Sequence, residues 1–380
     1  MIYIVSPTES TLTNRGKRHP DLALLLCEQN KEVTYITTNF DHANKTFISN
    51  QDIDRVKQSL PYNLIFLNNG KYDANLSFKR VLWNYKFSRK VYNLLSSYSL
   101  GKNDTIILPS RPSELIYYMS KLKKKYSVGL VLDIRDIWPD SLTSGGIIKK
   151  AFDYYCEFFQ KKSVAKYDTY FHVAPSFKKW LFRYNKNVQS NFIPLGIDSR
   201  FYDFKIDDKL NNKGLNIIYG GTLTHQFDIS KVIDAISGSN IKFTVFGDNG
   251  SGERYKDVLN QSKENPNISL LGMINPKEVP CLYKNAKISV IIMKVGALPN
   301  KVFDAIGSFT PILSIGDSDV SNFVKTYDIG WVVQNDKIKL RDFFNSISDN
   351  EIADKIENIK LIRDKFLRKN LLERYAQKIK

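Results

Sequence analysis

The sequence predicts an α/β protein made of two doubly wound domains in tandem. Three observations predict it. The chain has 380 residues, too many for one ordinary hydrophobic core. Short apolar runs alternate with amphipathic ones, which is the signature of strand–helix–strand units and of a parallel sheet covered by helices on both faces. That alternation restarts near residue 200, after a polar stretch without apolar period.

The elements follow in order. "MIYIVS" reads as a strand, "HPDLALLLCEQN" as a helix with apolar spacing of three and four, and "EVTYITT" as a strand again. "TIILPS", "ELIYYMSKLKKKY" and "VGLVLDI" continue the pattern. Residues 200–214, "RFYDFKIDDKLNNKG", read as a linker. After them "LNIIYGGTL", "DISKVIDAIS" and "IKFTVFGD" form a new strand–helix–strand unit. "NISLLGMI", "KISVIIMK", "TPILSIG" and "IGWVVQ" are further short strands. Residues 351–380 read as helix with mixed charges, expected to pack back toward the first domain. The expected domains are thus 1–200, 201–350 and this C-terminal helix. Two such sheets in tandem would face one cleft with their carboxyl edges, each supplying half of a shared site.

Composition bounds the class. Hydrophobic residues make up 42% and charged residues 25%, a globular balance. Cys27, Cys156 and Cys281 form no CxxC and no metal pattern, and are expected to be buried small side chains in a reducing compartment. The start "MIYIVSPTES" lacks the basic region of a signal peptide. No apolar run reaches the roughly 18–20 residues of a membrane span. The protein is expected in the cytoplasm, or held against a membrane face. The net charge is +17, and it is uneven. Residues 1–200 hold 30 Lys and Arg against 17 Asp and Glu, so +13, which leaves +4 for the rest. Such a half fits an anionic lipid surface, a phosphorylated substrate or nucleic acid, and equally a generic lysine-rich surface. No nucleic-acid motif accompanies the charge.

In the C-terminal half the informative stretch is "GALPNKVFDAIGSFTPILS", residues 296–314. Asn300 precedes an apolar-periodic run and reads as an N-cap, with Lys301 opening the helix. Free N–H groups and a lysine at a helix start suit a phosphate. Asp304, one turn on, suits two vicinal hydroxyls such as a ribose offers. A capped surface helix would look the same locally. Gly247, Gly250 and Gly252 have the wrong spacing for a dinucleotide fingerprint. Asp317-Ser318-Asp319 and Asp52-Ile53-Asp54 have a DxD form, which helix capping explains better than a metal.

In the N-terminal half, "LDIRDIWPDS", residues 132–141, ends an apolar run in three aspartates, an arginine and a tryptophan. A buried strand finishes that way where its carboxyl end meets a ligand. Asp133 and Arg135 either pair to order the turn or face that ligand. Asp136, nearest the rim, is expected to touch substrate. "ESTLTNRGKRHPDLA", residues 9–23, follows the first strand and offers Arg15, Lys17, Arg18 and His19 as positive charge, with Gly16 allowing close approach. "LPSRPSE" brings Arg111 to the same rim. Residues 149–187 mix aromatics with lysine pairs, as core plus a solvated face or as a lipid-facing surface.

These segments resemble family 4 glycosyltransferases, which have the GT-B fold, in their polysaccharide-assembly branch. The donor signature "PxKxFEY…G.PI" is matched by Pro299, Lys301, Phe303, Asp304, Gly307, Pro311 and Ile312. "FTVFGDNGSGE", "ISLLGMINPKEVPCLYKNAKISVII" and "YGGTLTHQFDISKVIDAI" look like the same family's other C-domain segments. "D.RDLWPDS" is matched by Asp133, Arg135, Asp136, Trp138, Pro139, Asp140 and Ser141. There are departures. The first of two glutamates common in the family falls on Gly296. The arginine and lysine that often grip the diphosphate after the first C-domain strand are missing from Thr222 to Phe227. The resemblance implies a retaining transfer of a sugar from a nucleotide-sugar, UDP-linked, to a glycan acceptor, lipid-linked, in capsule, O-antigen or exopolysaccharide assembly. It implies donor contacts from Gly221, Thr222, Gly247, Asp248, Asn300, Lys301, Val302 and Asp304. It implies acceptor contacts from Arg15, Gly16, Arg111, Arg135 and Asp136. Asp136 and Lys301 would be the catalytic pair, acting on the acceptor hydroxyl and the leaving diphosphate. No metal and no cofactor is expected, and the enzyme would sit peripherally on an anionic inner membrane face. Two other readings stay open: a sugar-nucleotide epimerase of the same shape, and a basic nucleic-acid-binding protein.

Overall fold

The computed structural model describes residues 1–13, 17–74, 77–142, 146–209, 214–224, 227–248, 250, 252–293 and 296–379. The chain divides into two compact units, residues 1–193 with 372–380, and residues 194–371.

The first unit is built on β1 (Ile2–Val5), β2 (Val33–Thr38), β5 (Asn63–Leu67), β6 (Thr105–Pro109), β7 (Gly129–Ile134), β8 (Thr169–His172) and β9 (Asn191–Phe192). A small antiparallel ribbon, β3 (Phe40–Asp41) with β4 (Thr46–Phe47), stands apart. The sheet order is β5-β2-β1-β6-β7-β8-β9, and the pairs are parallel. Strands buried on both faces read as unbroken apolar runs, and β1, β6 and most of β7 are fully buried. The order reverses between β1 and β6, so the loops leaving β1, β6 and β7 open at a topological switch point.

The second unit repeats this plan with β10 (Asn216–Gly220), β11 (Lys242–Phe246), β12 (Ile268–Leu270), β13 (Ile288–Ile292), β14 (Ile312–Ile315) and β15 (Gly330–Val333). Its parallel order is β12-β11-β10-β13-β14-β15, with the reversal between β10 and β13. Tyr219, Phe243, Val290 and Leu313 fill its core.

Three expectations need correction. Residues 200–209, the described start of the expected linker, are not free. Phe201 and Phe204 are buried, and Lys209 donates from Nζ to the carbonyls of Tyr283 and Ala286 at 2.8 and 2.7 Å. Two aromatics supply burial that a search for apolar period does not register, so the division falls at Ile193–Pro194 instead of after residue 200. Of the cysteines only Cys156 is buried; Cys281 is exposed on the short helix Val279–Tyr283. The C-terminal stretch is two helices, Asp349–Arg363 and Arg368–Ala376, and the second carries the chain from the second unit back into the first. There Tyr375 stacks on Phe171, ring centroids 3.6 Å apart.

Candidate functional site

In the second unit the site grows from two glycine turns. β10 ends at Gly220, and Gly221 follows with φ +141°. Its N–H donates to the Phe246 carbonyl at 2.8 Å. Gly247 follows β11 with φ +94°, and a Cβ there would lie 3.0 Å from the Gly221 nitrogen. Only glycine tolerates both the positive φ and the contact. Asp248 ties the loops together, accepting from Leu223 N–H at 2.5 Å and Gly250 N–H at 2.9 Å. Its buried carboxylate thus has both oxygens on backbone amides. Thr222 stays exposed.

Against these turns lies the helix Asn300–Gly307. Its N-cap is Pro299, not Asn300, and the proline side chain has no acceptor, so no N-cap side chain caps the first turn. Asn300 is instead the exposed first helical residue. Val302 is fully buried and its N–H reaches the Pro299 carbonyl at 3.1 Å, which gives it a packing role in place of a ligand contact. Phe303, Ala305 and Ile306 complete that buried face.

Lys301 turns toward the glycines. Its Nζ lies 4.4 Å from the Tyr219 ring centroid and 5.3 Å from that of Phe227. A Cβ on Gly221 would meet it at 3.2 Å. Among the described residues no carboxylate pairs with it, and burial pushes its ammonium down to about 8. Asp304, one turn on, is pushed up to about 6 by burial, with Arg200 opposing the shift. Arg200 Nη2 stands 3.6 Å from Asp304, while its Nε binds Asp198 at 2.8 Å. Arg200 fell in the presumed linker, where no pattern marked it. A cation with no counter-charge among the described residues, two close-approach glycines and an uncapped helix start have the chemistry that would suit a diphosphate.

In the first unit a buried ion network fills the ends of β1 and β7. Asp133 faces Arg18 at 3.0 and 3.3 Å and the His19 Nε2 at 3.1 Å. Burial opposes its charge, but Arg18, His19 and Arg135 outweigh it and hold the carboxyl well below the usual range. Arg135 pairs with Glu9 at 2.5 Å and stands 3.7 Å from Asp133. Burial, then Arg135, pushes His19 down, against the contributions of Asp133 and Glu9, which disfavours the charge expected of it. Arg18 is likewise spent inside the network, also donating to the Ile193 carbonyl at 3.0 Å. Glu9 carried no mark in the sequence, and Arg18 and His19 were marked only as positive charge, not as partners of Asp133.

Asp136 stands outside this network and is partly exposed. Arg111 Nη1 lies 3.0 Å from its Oδ2, and Ser141 donates to its Oδ1 at 2.6 Å. Ser110 donates to its carbonyl at 2.5 Å. The structure therefore joins Arg111 with Asp136 and joins Arg135 with Glu9. Arg15 and Gly16 lie outside the described residues. Ser318 caps the helix Asp319–Tyr327, and Ser49 caps Asn50–Ser59, which accounts for both DxD stretches. Among the described residues no group of three or more His, Cys, Asp and Glu could hold a metal.

Residues 203–361 match the family model of glycosyl transferases group 1. No curated protein matches the sequence. The chain is similar in structure to sucrose-phosphate synthase from Thermosynechococcus elongatus, with TM-score 0.75 at 13% identity over 99% of this chain and 97% of that one. It is similar to Anabaena HepE in complex with UDP-glucose, with TM-score 0.69, 11% identity and 99% and 98% coverage. WaaG, a glycosyltransferase involved in lipopolysaccharide biosynthesis, gives TM-score 0.65, 11% identity and 100% and 99% coverage. Two parallel sheets with matching reversals and these structural likenesses give the chain the GT-B fold, and the match to glycosyl transferases group 1 lies over residues 203–361, within the second unit.

Proposed function

We propose that the protein transfers a sugar from a UDP-linked donor to a glycan acceptor, with retention, in bacterial surface-polysaccharide assembly. The observation that carries the reading is Lys301, a cation beside Gly221 with no carboxylate partner among the described residues. Lys301 and the helix start would take charge from the leaving diphosphate, and Asp304 would accept from the ribose hydroxyls. Among the described residues no carboxylate stands beside Lys301 to act as a nucleophile on the sugar. Same-face displacement, in which the leaving diphosphate helps take the acceptor proton, fits this best. Asp136 would orient the acceptor hydroxyl or take its proton. HepE, solved with UDP-glucose, favours the UDP-linked donor.

A lipid-linked acceptor would bring the enzyme to the inner face of the membrane. No described helix is long and apolar enough to cross one. The helix Ile147–Ser163 buries Cys156, Phe159 and Gln160 and turns Ile147, Ile148, Tyr154 and Phe158 outward, the last three 87%, 76% and 51% exposed. Lys150, Lys161 and Lys162 flank them, and the Lys162 Nζ lies 3.9 Å from the Phe158 ring centroid. That mixture suits the headgroup region of anionic lipid.

The test is a panel of UDP-, GDP- and dTDP-sugars given to the purified protein. Slow release of UDP from a UDP-sugar, with the sugar freed, is expected. A changed sugar still bound to its nucleotide would make it an epimerase. No turnover of any member would sink the donor reading.

A further inference from the structure

We propose that Arg200 is a positioning residue for the donor: its guanidinium keeps the Asp304 carboxylate charged for the hydroxyls of a bound ribose. This rests on the donor reading above. The geometry is a chain of alternating charge inside the second unit. Arg368 Nη1 lies 2.8 Å from Asp198 Oδ2, Arg200 Nε lies 2.8 Å from Asp198 Oδ1, and Arg200 Nη2 stands 3.6 Å from Asp304 Oδ1. Arg200 Nη1 donates to the Pro276 carbonyl at 2.7 Å. The three guanidinium nitrogens thus have three different targets. A planar fork held at two corners keeps its third in place. The turn that carries Arg200, Ser199–Phe201, is itself seated on the helix that carries Asp304. Phe201 is fully buried, and a Cβ at Gly307 would lie 2.8 Å from the Phe201 Cβ. Arg363 ties the same two pieces, donating to the carbonyls of Gly307 and Tyr202, each at 3.2 Å.

Asp304 needs such a neighbour. Its side chain is only 15% exposed, and burial pushes its carboxyl up to about 6. Arg200 opposes that shift most, Asp198 adds to it, and Arg368 opposes it from farther off. The buried Tyr283 phenol also feels the Asp304 charge and is pushed up by it after burial. Of the two arginines, Arg200 is the one in ion-pair contact with Asp304, while Arg368 reaches Asp198. Two arginines and two aspartates balance only when Asp304 is ionised. The ionised form matters for a ribose, because only a carboxylate accepts from two vicinal hydroxyls with both oxygens.

The experiment follows the Asp304 carboxyl by carbon-13 NMR in the full chain labelled at aspartate, its signal identified by its loss in D304N. In the wild type it should titrate near pH 6. In R200Q the midpoint should stand about 1 pH unit or more higher, as removal of a close opposite charge requires. R200K keeps the charge and should bring the midpoint back to within about 0.5 pH unit of wild type. A midpoint as high in R200K as in R200Q would mean that packing, not charge, moves it, and overturns the proposal. The second readout is UDP-glucose affinity against pH by calorimetry. R200Q should bind roughly three- to ten-fold more weakly than wild type at pH 6.5 and nearly equally at pH 8. An equal loss at both pH values is the mark of a merely structural role and overturns the proposal, as does no loss at either. If R200Q does not fold, R200M, which keeps the stem beside the Phe201 ring, takes its place. If the wild type binds no UDP-glucose, the donor reading falls and this proposal with it. An unmoved midpoint with binding intact overturns this proposal alone.

Discussion

Lys301 holds its charge against burial, and a bound diphosphate would supply the missing counter-charge. Lys301→Ala should weaken UDP binding by about 1.5–3 kcal/mol in calorimetry. Equal affinity would remove it from the site. The proton linkage has a definite sign. A diphosphate prefers the protonated lysine, so affinity for UDP-glucose should fall as pH rises through about 8. Asp304 accepts from both hydroxyls with both oxygens only while ionised, so affinity should also fall as pH drops through about 6. A profile flat across both ranges would contradict the pair of roles. Asp136→Asn keeps the Ser141 contact and loses the charge facing Arg111. Turnover should drop by about a hundred-fold or more with UDP-glucose affinity unchanged. Normal turnover would leave Asp136 a turn-ordering residue. Lys301 and Asp136 were legible because each sits in a spaced motif. Arg200 was not, because its meeting with Asp304 depends on Phe201 anchoring a stretch that looks like linker.

The helix Ile147–Ser163 shows how an element can be amphipathic twice. One face is core; the other is apolar and rimmed with lysine. Ile148→Ser combined with Tyr154→Ser removes outward groups only, so thermal stability should hold within about 0.5 kcal/mol. Sedimentation with anionic vesicles should fall, and high salt should weaken what remains. Unchanged sedimentation would return the lysines to a role in keeping the protein dispersed. At this scale the sequence was legible where burial made a run, as in β1, β6 and β13. It was not legible where partners come from distant elements. Arg18 and Asp133 are 115 positions apart, and nothing local says that the charge of His19 will be disfavoured between them.

At the scale of the molecule, one restart of one pattern was enough to read two doubly wound sheets, while the strand order needed the structure. Activity should survive chelation with EDTA, since in the proposed reading Lys301 and a helix start would meet the diphosphate. Loss restored by manganese or magnesium would contradict that. The return of the chain to the first unit also has a measurable weight. Tyr375 is fully buried against Phe171, so Tyr375→Ala should cost about 3–5 kcal/mol in urea unfolding of the first unit. Its hydroxyl has no partner among the described residues, so Tyr375→Phe should be neutral or stabilising. A large loss in the phenylalanine variant would show that the hydroxyl is in use. The same return has a consequence for biosynthesis. Residues 1–193 leave the ribosome without the segment that covers Phe171, and residues 194–371 must be made before it arrives. At about 5–20 residues per second that interval is roughly ten to forty seconds. Through it the nascent first unit carries an open apolar seat, a natural stop for a chaperone, and it closes only when the segment bearing Tyr375 has left the ribosome.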